Sequence, residues 1–233
     1  TDRWYEKISM SFSTKMTNSI STKEGEVFKR ETFNSMRNGI QHSIPVQASF
    51  TLFNHLNITP NVNYTERWYF KKVERQWNPE TNKVDVLDPE YGFYRLYNYN
   101  SGVSMSTTLY GMWQVKEKYK DFKLQAIRHT ISPQMSFSYT PNFGNQKYGY
   151  FQTIQSDSTG KTMTYSPFSE NAYGTPTSGQ NMSLSFSLSQ SLEVKVKSDR
   201  DTTGVKKIKI IDDLSISGSY NFLADSMGLS NIN

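Results

Sequence analysis

Polar and apolar residues alternate along several long stretches of the chain, most regularly from residue 181 to residue 197. In the sequence NMSLSFSLSQSLEVKVK, every even position except Gln190 is apolar and every odd position is polar. Successive side chains of a β-strand point to opposite sheet faces, so this stretch predicts a strand with one apolar and one polar face. At helical spacing the same residues would scatter around the whole circumference, which excludes an amphipathic helix.

The same alternation recurs along the chain and predicts seven strands. They comprise approximately residues 4–20, 40–52, 56–70, 93–111, 124–139, 181–197 and 207–222. These stretches are long, because globular strands usually have about 5–6 residues, whereas a tilted strand needs about 9–11 residues to cross a bilayer. Long, alternating strands of this kind are typical of a transmembrane β-barrel.

The connections between the predicted strands alternate in length. Long connections comprise residues 21–39, 71–92 and 140–180, and shorter ones comprise residues 53–55, 112–123 and 198–206. Antiparallel strands place alternate connections at opposite ends, so long loops are expected on one side and short turns on the other. Outer-membrane barrels have long extracellular loops and short periplasmic turns. On this assignment aromatic residues form a belt at the extracellular strand ends: Trp68, Tyr69, Phe70, Phe93, Tyr94, Phe137 and Tyr139.

The predicted fold class is all-β, and residues 1–233 are interpreted as part of one outer-membrane β-barrel domain. Bacterial single-chain barrels have even strand numbers, so further strands are expected before Thr1, after Asn233, or both. The alternative is a soluble β-sandwich or solenoid, whose strands also alternate but are usually shorter. On the barrel interpretation, the apolar residues expected to meet lipid include Ile44, Val46, Phe50, Met135, Phe137, Leu184, Phe186 and Leu188.

Composition narrows the classes of function further. No apolar run approaches the roughly 18 residues of a membrane-spanning helix, and the absence of cysteine excludes disulfides and thiolate metal sites. The three histidines lack the spacing of metal ligands, and the polar positions offer no cluster of nucleophile, histidine and acid. The net charge of +5 is spread out rather than gathered in a basic stripe, which argues against nucleic acid as a partner. We therefore expect no enzyme activity, no cofactor and no metal.

Two short motifs have more than one interpretation. The segment Ser158–Thr162 ends like a phosphate-binding loop, but Gln155 stands where the first glycine is required. A basic group near the last short connection is either a solvated rim or a contact for anionic lipid head groups or for an acidic periplasmic partner. That group comprises Lys195, Lys197, Arg200, Lys206 and Lys207.

The stretch RHTISPQMSFSYTP, residues 128–141, joins a basic residue and a histidine to a proline four positions later and then to an alternating strand. In Arg128, His129 and Pro133 it resembles the barrel of the LptD family, the lipopolysaccharide-assembly proteins of the outer membrane. The stretches at residues 57–69, 181–204 and 214–221 are similar to one branch of that family.

The resemblance implies a large barrel, integral to the bacterial outer membrane, that inserts lipopolysaccharide into the outer leaflet without catalysing any bond chemistry. It also implies an LptE-like lipoprotein plug, a periplasmic lipopolysaccharide-bridge protein and contact with outer-membrane lipids. The family's lateral opening lies between its first and last strands, which we expect outside this interior segment. The absence of cysteine departs from members that contain disulfides.

Other functions of such a barrel stay open from the sequence. A porin or a TonB-dependent receptor for nutrient uptake would have the same strands, and a plug domain with a TonB box before the barrel would distinguish the receptor. An outer-membrane enzyme would need a catalytic cluster near one rim. A structural barrel within a surface complex is the remaining alternative.

Overall fold

The computed structural model describes residues 3–26, 29–116, 122–198 and 204–233. These residues form fourteen strands, and the short helix α1 (Arg30–Ser35) lies between the second and third. The strands are β1 (Ile8–Met10), β2 (Ser13–Ser19), β3 (Arg37–Ala48), β4 (Phe50–Leu52), β5 (Leu56–Lys72), β6 (Arg75–Asn78), β7 (Lys83–Val86), β8 (Glu90–Ser106), β9 (Leu109–Gln114), β10 (Leu124–Thr140), β11 (Gln152–Gln155), β12 (Thr162–Tyr165), β13 (Asn181–Lys197) and β14 (Val205–Asn221). No helix among the described residues is long and apolar enough to cross a membrane.

Ten of these strands form one antiparallel sheet in the order β1-β3-β5-β8-β10-β13-β14. The remaining members continue their neighbours, with β2 pairing with β3, β4 with β5, and β9 with β10. The seven predicted strands are therefore present in chain order, and the all-β prediction is confirmed. Within the part of the chain that the structure describes, the sheet does not close on itself.

Three of the predicted strands are interrupted, and each interruption lies opposite a proline. The gap between β1 and β2 faces Pro45, the gap between β3 and β4 faces Pro60, and the gap between β8 and β9 faces Pro133. Proline has no N–H group and cannot donate to the ladder, so the partner strand loses a hydrogen bond at that point. The prolines remain within continuous strands and interrupt their neighbours instead.

The long connections are more ordered than their polar sequences predicted. Residues 21–39 include α1, residues 71–92 include the hairpin β6–β7, and residues 140–180 include the hairpin β11–β12. The segment that resembles a phosphate-binding loop is the turn of the β11–β12 hairpin. There Asp157 Oδ1 accepts hydrogen bonds from the backbone N–H groups of Thr159 and Lys161, at 2.9 and 3.1 Å. The strand β12 follows this turn, where a phosphate-binding loop would be followed by a helix.

The buried core lies where the third long connection meets the sheet. Tyr69 of β5 and Leu96 of β8 pack with Phe143, Tyr150 and Phe168 of that connection, and all five side chains are buried. Elsewhere the described residues provide no second sheet over the large sheet. A β-sandwich requires such a sheet, so the described residues do not form one. The core therefore positions one connection, and most of the sheet is a single layer.

Candidate functional site

The cross-strand register places all eight residues predicted to meet lipid on one face of the sheet. Directly opposed residues of antiparallel strands point to the same face, so each pair extends that face to the next strand. One row crosses five strands, and it comprises Phe50, Ile58, Met105, Met135 and Phe186. Parallel rows contain the pairs Ile44–Tyr64, Val46–Val62, Phe137–Leu184 and Pro133–Leu188. We call this side the apolar face.

The apolar face is uncovered except near Tyr97 and Tyr99, whose rings contact Phe143 of the third long connection. Met135 is 49% exposed, and none of the other seven predicted residues is fully buried. Further large hydrophobic side chains on the same face are also exposed, including Met16, Val62, Phe93 and Ile216. A face of this extent on a soluble monomer would be an aggregation hazard.

The opposite side, the polar face, is lined by hydroxyl groups in its central part. Serine hydroxyls form hydrogen bonds between neighbouring strands, with Ser104 and Ser136 at 3.2 Å and Ser138 and Ser183 at 2.9 Å. A trough of about 780 Å³ in this region is lined by serine residues of β8, β10, β13 and β14 and by Ser230 near the C-terminus. The predicted polar register is therefore a wet, hydrogen-bonding surface.

Residues 141–180, which we call the cap, fold over the polar face at its long-connection end. The Tyr69 hydroxyl donates to the carbonyl of Gly174 at 2.7 Å, and the Asn171 side-chain amide donates to the carbonyl of Lys71 at 3.0 Å. The cap also reaches the first strands, where the hydroxyls of Thr17 and Tyr173 lie 2.7 Å apart. The cap thus spans β2, β3, β5 and β8.

Tyr150 fastens the cap to an open strand edge. The strand β8 pairs with β10 only over residues 101–106, so its N-terminal part lacks a strand on that side. The Tyr150 hydroxyl accepts from the Tyr97 N–H at 2.8 Å and donates to the Tyr97 carbonyl at 3.1 Å. Burial raises the pKa of Tyr150, so the phenol stays protonated and remains a donor. One side chain therefore satisfies both edge groups.

The predicted aromatic belt is only partly outward-facing. Trp68 and Phe93 lie on the apolar face with their rings 5.6 Å apart, and Phe93 is 61% exposed. Tyr69 and Tyr94 point to the polar face and contact Phe168 of the cap, so their assignment to the belt is wrong. The register decides this, because adjacent strand residues point to opposite sides.

An ion pair on the apolar face was missed by the sequence analysis. Glu66 lies 2.7 Å from Arg95 Nε in an ion pair, and it accepts hydrogen bonds from Arg95 Nη2 at 2.8 Å and from Trp68 Nε1 at 2.6 Å. Glu66 and Arg95 are charged residues at positions where the alternation of their strands predicts apolar ones. That departure from the pattern was the sequence signal for the ion pair. The pairing of the two residues depends on the register between β5 and β8.

Each of the three motif residues that carry the resemblance makes a contact across the sheet. Arg128 lies on the polar face and forms an ion pair with Glu193 of β13 at 2.8 Å. His129 lies on the apolar face, 3.3 Å from the Gln190 carboxamide oxygen. The Pro133 carbonyl accepts from the N–H of Thr107 at the gap between β8 and β9.

The basic group is divided between the two faces. Lys195 and Lys207 are directly opposed on the polar face, whereas Lys206 is opposite Val196 on the apolar face. Lys197 ends β13 on the polar register, and Arg200 lies outside the described residues. In the part of the chain that the structure describes, no group of histidine and acidic residues could hold a metal ion.

A family model described as LptD protein matches residues 1–233, the whole length of the chain. The chain belongs to the LptD family. The resemblance in the sequence is thereby confirmed, and the family's role is in lipopolysaccharide transport and outer-membrane assembly. Neither a curated protein nor a solved structure matches the chain. The all-β sheet, with its uncovered apolar face, is consistent with the outer-membrane barrel expected of an LptD protein.

Proposed function

We propose that this chain forms part of an LptD-like outer-membrane translocon that inserts lipopolysaccharide into the outer leaflet and catalyses no bond chemistry. The observation that carries the proposal is the LptD family match over the whole chain. An uncovered apolar face opposite a serine-lined trough supports it, because a membrane barrel needs a lipid-facing exterior and a hydrated interior.

The strand lengths support a transmembrane position for the sheet. The strands β5, β8, β10, β13 and β14 each have 17 residues. At about 3.3 Å per residue, 17 residues extend about 56 Å, and a tilt of about 40° leaves roughly 43 Å along the membrane normal. The apolar band of such barrels is about 25 Å tall, so the strands would project beyond it. On this proposal the eight predicted apolar residues meet lipid.

The polar face becomes the barrel lumen in this proposal. Its hydroxyls suit the saccharide part of lipopolysaccharide, which is hydrophilic, and the cap lies over the extracellular mouth. The short connections then face the periplasm, where a lipopolysaccharide-bridge protein would deliver the substrate. An LptE-like lipoprotein would occupy the remaining lumen as a plug.

Depletion of the full-length protein tests the proposal. We expect newly made lipopolysaccharide to be retained in the periplasm or inner membrane while other outer-membrane proteins still assemble. Surface lipopolysaccharide is quantified by its accessibility to a label added outside the cell. The retained fraction is quantified after the inner and outer membranes have been separated. Normal surface lipopolysaccharide with lost uptake of a nutrient would overturn the proposal and favour a porin or TonB-dependent receptor. Normal surface lipopolysaccharide together with normal nutrient uptake would favour a structural barrel.

A further inference from the structure

A small pocket of about 220 Å³ lies on the polar face near the short-connection end of the sheet. Its lining includes Met112, Gln114, Arg128, Glu193, Lys195 and Lys207. Two adjacent rows of cross-strand partners supply most of these side chains. One row runs through Gln114, Ala126, Lys195 and Lys207, and the next through Met112, Arg128, Glu193 and Lys209. The pocket is therefore built by β9, β10, β13 and β14.

The two rows differ in how their charges are balanced. In the second row, Glu193 forms an ion pair with Arg128 at 2.8 Å, and Lys209 contacts Asp212 at 2.5 Å. In the first row, Lys195 is directly opposite Lys207, and neither forms an ion pair with a residue that the structure describes. Like charges that are directly opposed in a sheet are unfavourable. The first row therefore has an excess of positive charge at Lys195 and Lys207.

The neighbouring side chains leave the two ammonium groups accessible. On the strand β10, the cross-strand partner of Lys195 is Ala126, whose small methyl group fills little of the pocket. Both lysines are exposed on the polar face, and Arg128 is in the next row. Two ammonium groups separated by one strand spacing can donate charge-assisted hydrogen bonds to different oxygens of one oxyanion. A bound anion would also relieve the repulsion between them.

We propose that Lys195 and Lys207 form a lumenal binding site for a phosphate group carried on a sugar of lipopolysaccharide. This inference rests on the proposed function, which makes the polar face the lumen and lipopolysaccharide the substrate. The site would hold the phosphorylated saccharide at the periplasmic end of the barrel, before the saccharide passes the cap.

Binding to the purified full-length protein in detergent tests the site. The probes are lipopolysaccharide with its phosphate groups intact, the same lipopolysaccharide after dephosphorylation, and vesicles of phosphatidylglycerol. The variant is Lys195→Gln with Lys207→Gln. The control is Lys206→Gln, which removes one positive charge, against two in the double variant, from the residue next to Lys207 on the apolar face. Heat-modified migration on a gel verifies that each variant is folded.

We expect the double variant to bind intact lipopolysaccharide at least about tenfold more weakly, because two charge-assisted hydrogen bonds are lost. The control should stay within about twofold, and binding of the dephosphorylated probe should differ little between the proteins. Equal losses in the double variant and the control would overturn the site, as would an unchanged affinity. An equal loss toward phosphatidylglycerol would overturn its assignment to lipopolysaccharide. The depletion experiment reports on transport itself, so failure of the site and failure of the proposed function are distinguishable.

Discussion

His129 of β10 and Gln190 of β13 form a polar pair on the apolar face, with His129 Nε2 3.3 Å from Gln190 Oε1. Each residue, taken alone, interrupts the apolar register of its strand. The two lie diagonally across neighbouring strands, with Ile131 opposite Gln190 and Leu192 opposite His129. If the apolar face meets lipid, as proposed, a polar group there is costly unless it has a hydrogen-bond partner, and each of these residues provides that partner for the other.

Replacing one member of this pair should cost more than replacing both. Gln190→Leu leaves the His129 ring without its partner, and we expect a loss of about 1–3 kcal/mol in the free energy of unfolding. The double variant His129→Leu, Gln190→Leu should be nearly neutral, because both polar groups are removed together. Urea unfolding of the full-length protein in phospholipid vesicles measures both. A double variant that is less stable than the single one would contradict the pairing.

Arginine substitution distinguishes the two faces within one strand. Leu188 is opposite Pro133 and Ile216 on the apolar face, and Ser187 is opposite Gln134 and Ser217 on the polar face. Leu188→Arg should cost about 2–4 kcal/mol if it lies near the bilayer midplane.

The matched substitution Ser187→Arg should cost much less, because its side chain would enter the hydrated side. The same vesicle unfolding measurement compares the two variants. Equal costs at both positions would refute the assignment of the apolar face to lipid.

Removing the Tyr150 hydroxyl should loosen the cap. Tyr150→Phe removes the hydrogen bonds to both backbone groups of Tyr97 and leaves that strand edge unsatisfied, at a cost of about 1–3 kcal/mol. Limited proteolysis of the folded protein, read by mass spectrometry, should show faster cleavage within residues 141–180. Tyr148→Phe is the control, because the Tyr148 hydroxyl makes no hydrogen bond to the described residues while its ring stacks on Tyr150 at 5.5 Å. Equal protection in both variants would argue against this contact.

A methyl group at Gly39 should displace the cap from the sheet. A Cβ atom at this position would lie 2.7 Å from Cε1 of Tyr69 and 3.3 Å from Cδ2 of Tyr173. Tyr69 is fully buried, so its ring cannot move aside into solvent. Gly39→Ala should therefore increase cleavage within the cap.

Gly111 provides the comparison for that variant. A Cβ atom there meets its nearest neighbour, the His129 carbonyl oxygen, at 3.8 Å, which is ordinary contact. Gly111→Ala should leave the cleavage rate unchanged. If Gly39→Ala is equally silent, the close packing of Gly39 against Tyr69 and Tyr173 does not hold the cap in place.

Strand positions were predictable wherever one face of the sheet had to be apolar. The stretch 181–197 was predicted with the bounds of β13, because sixteen of its seventeen residues obey a period of two. Interruptions were less visible, since each depends on a proline in the neighbouring strand. Pro133, for example, lies far in sequence from the gap between β8 and β9 that it faces. The alternation of residues within one strand does not show which residue of the neighbouring strand lies opposite.

The sequence alone determined the all-β class, the seven strands in order, and the face on which Ile44, Met135 and Leu188 lie. These features follow from local rules, because a one-residue slip would move every side chain to the other face. Only the tertiary structure decided that Glu66 meets Arg95, that Lys195 meets Lys207, and that residues 141–180 cover the polar face. Those contacts join residues distant in sequence, and they depend on the register between strands and on packing within one buried cluster.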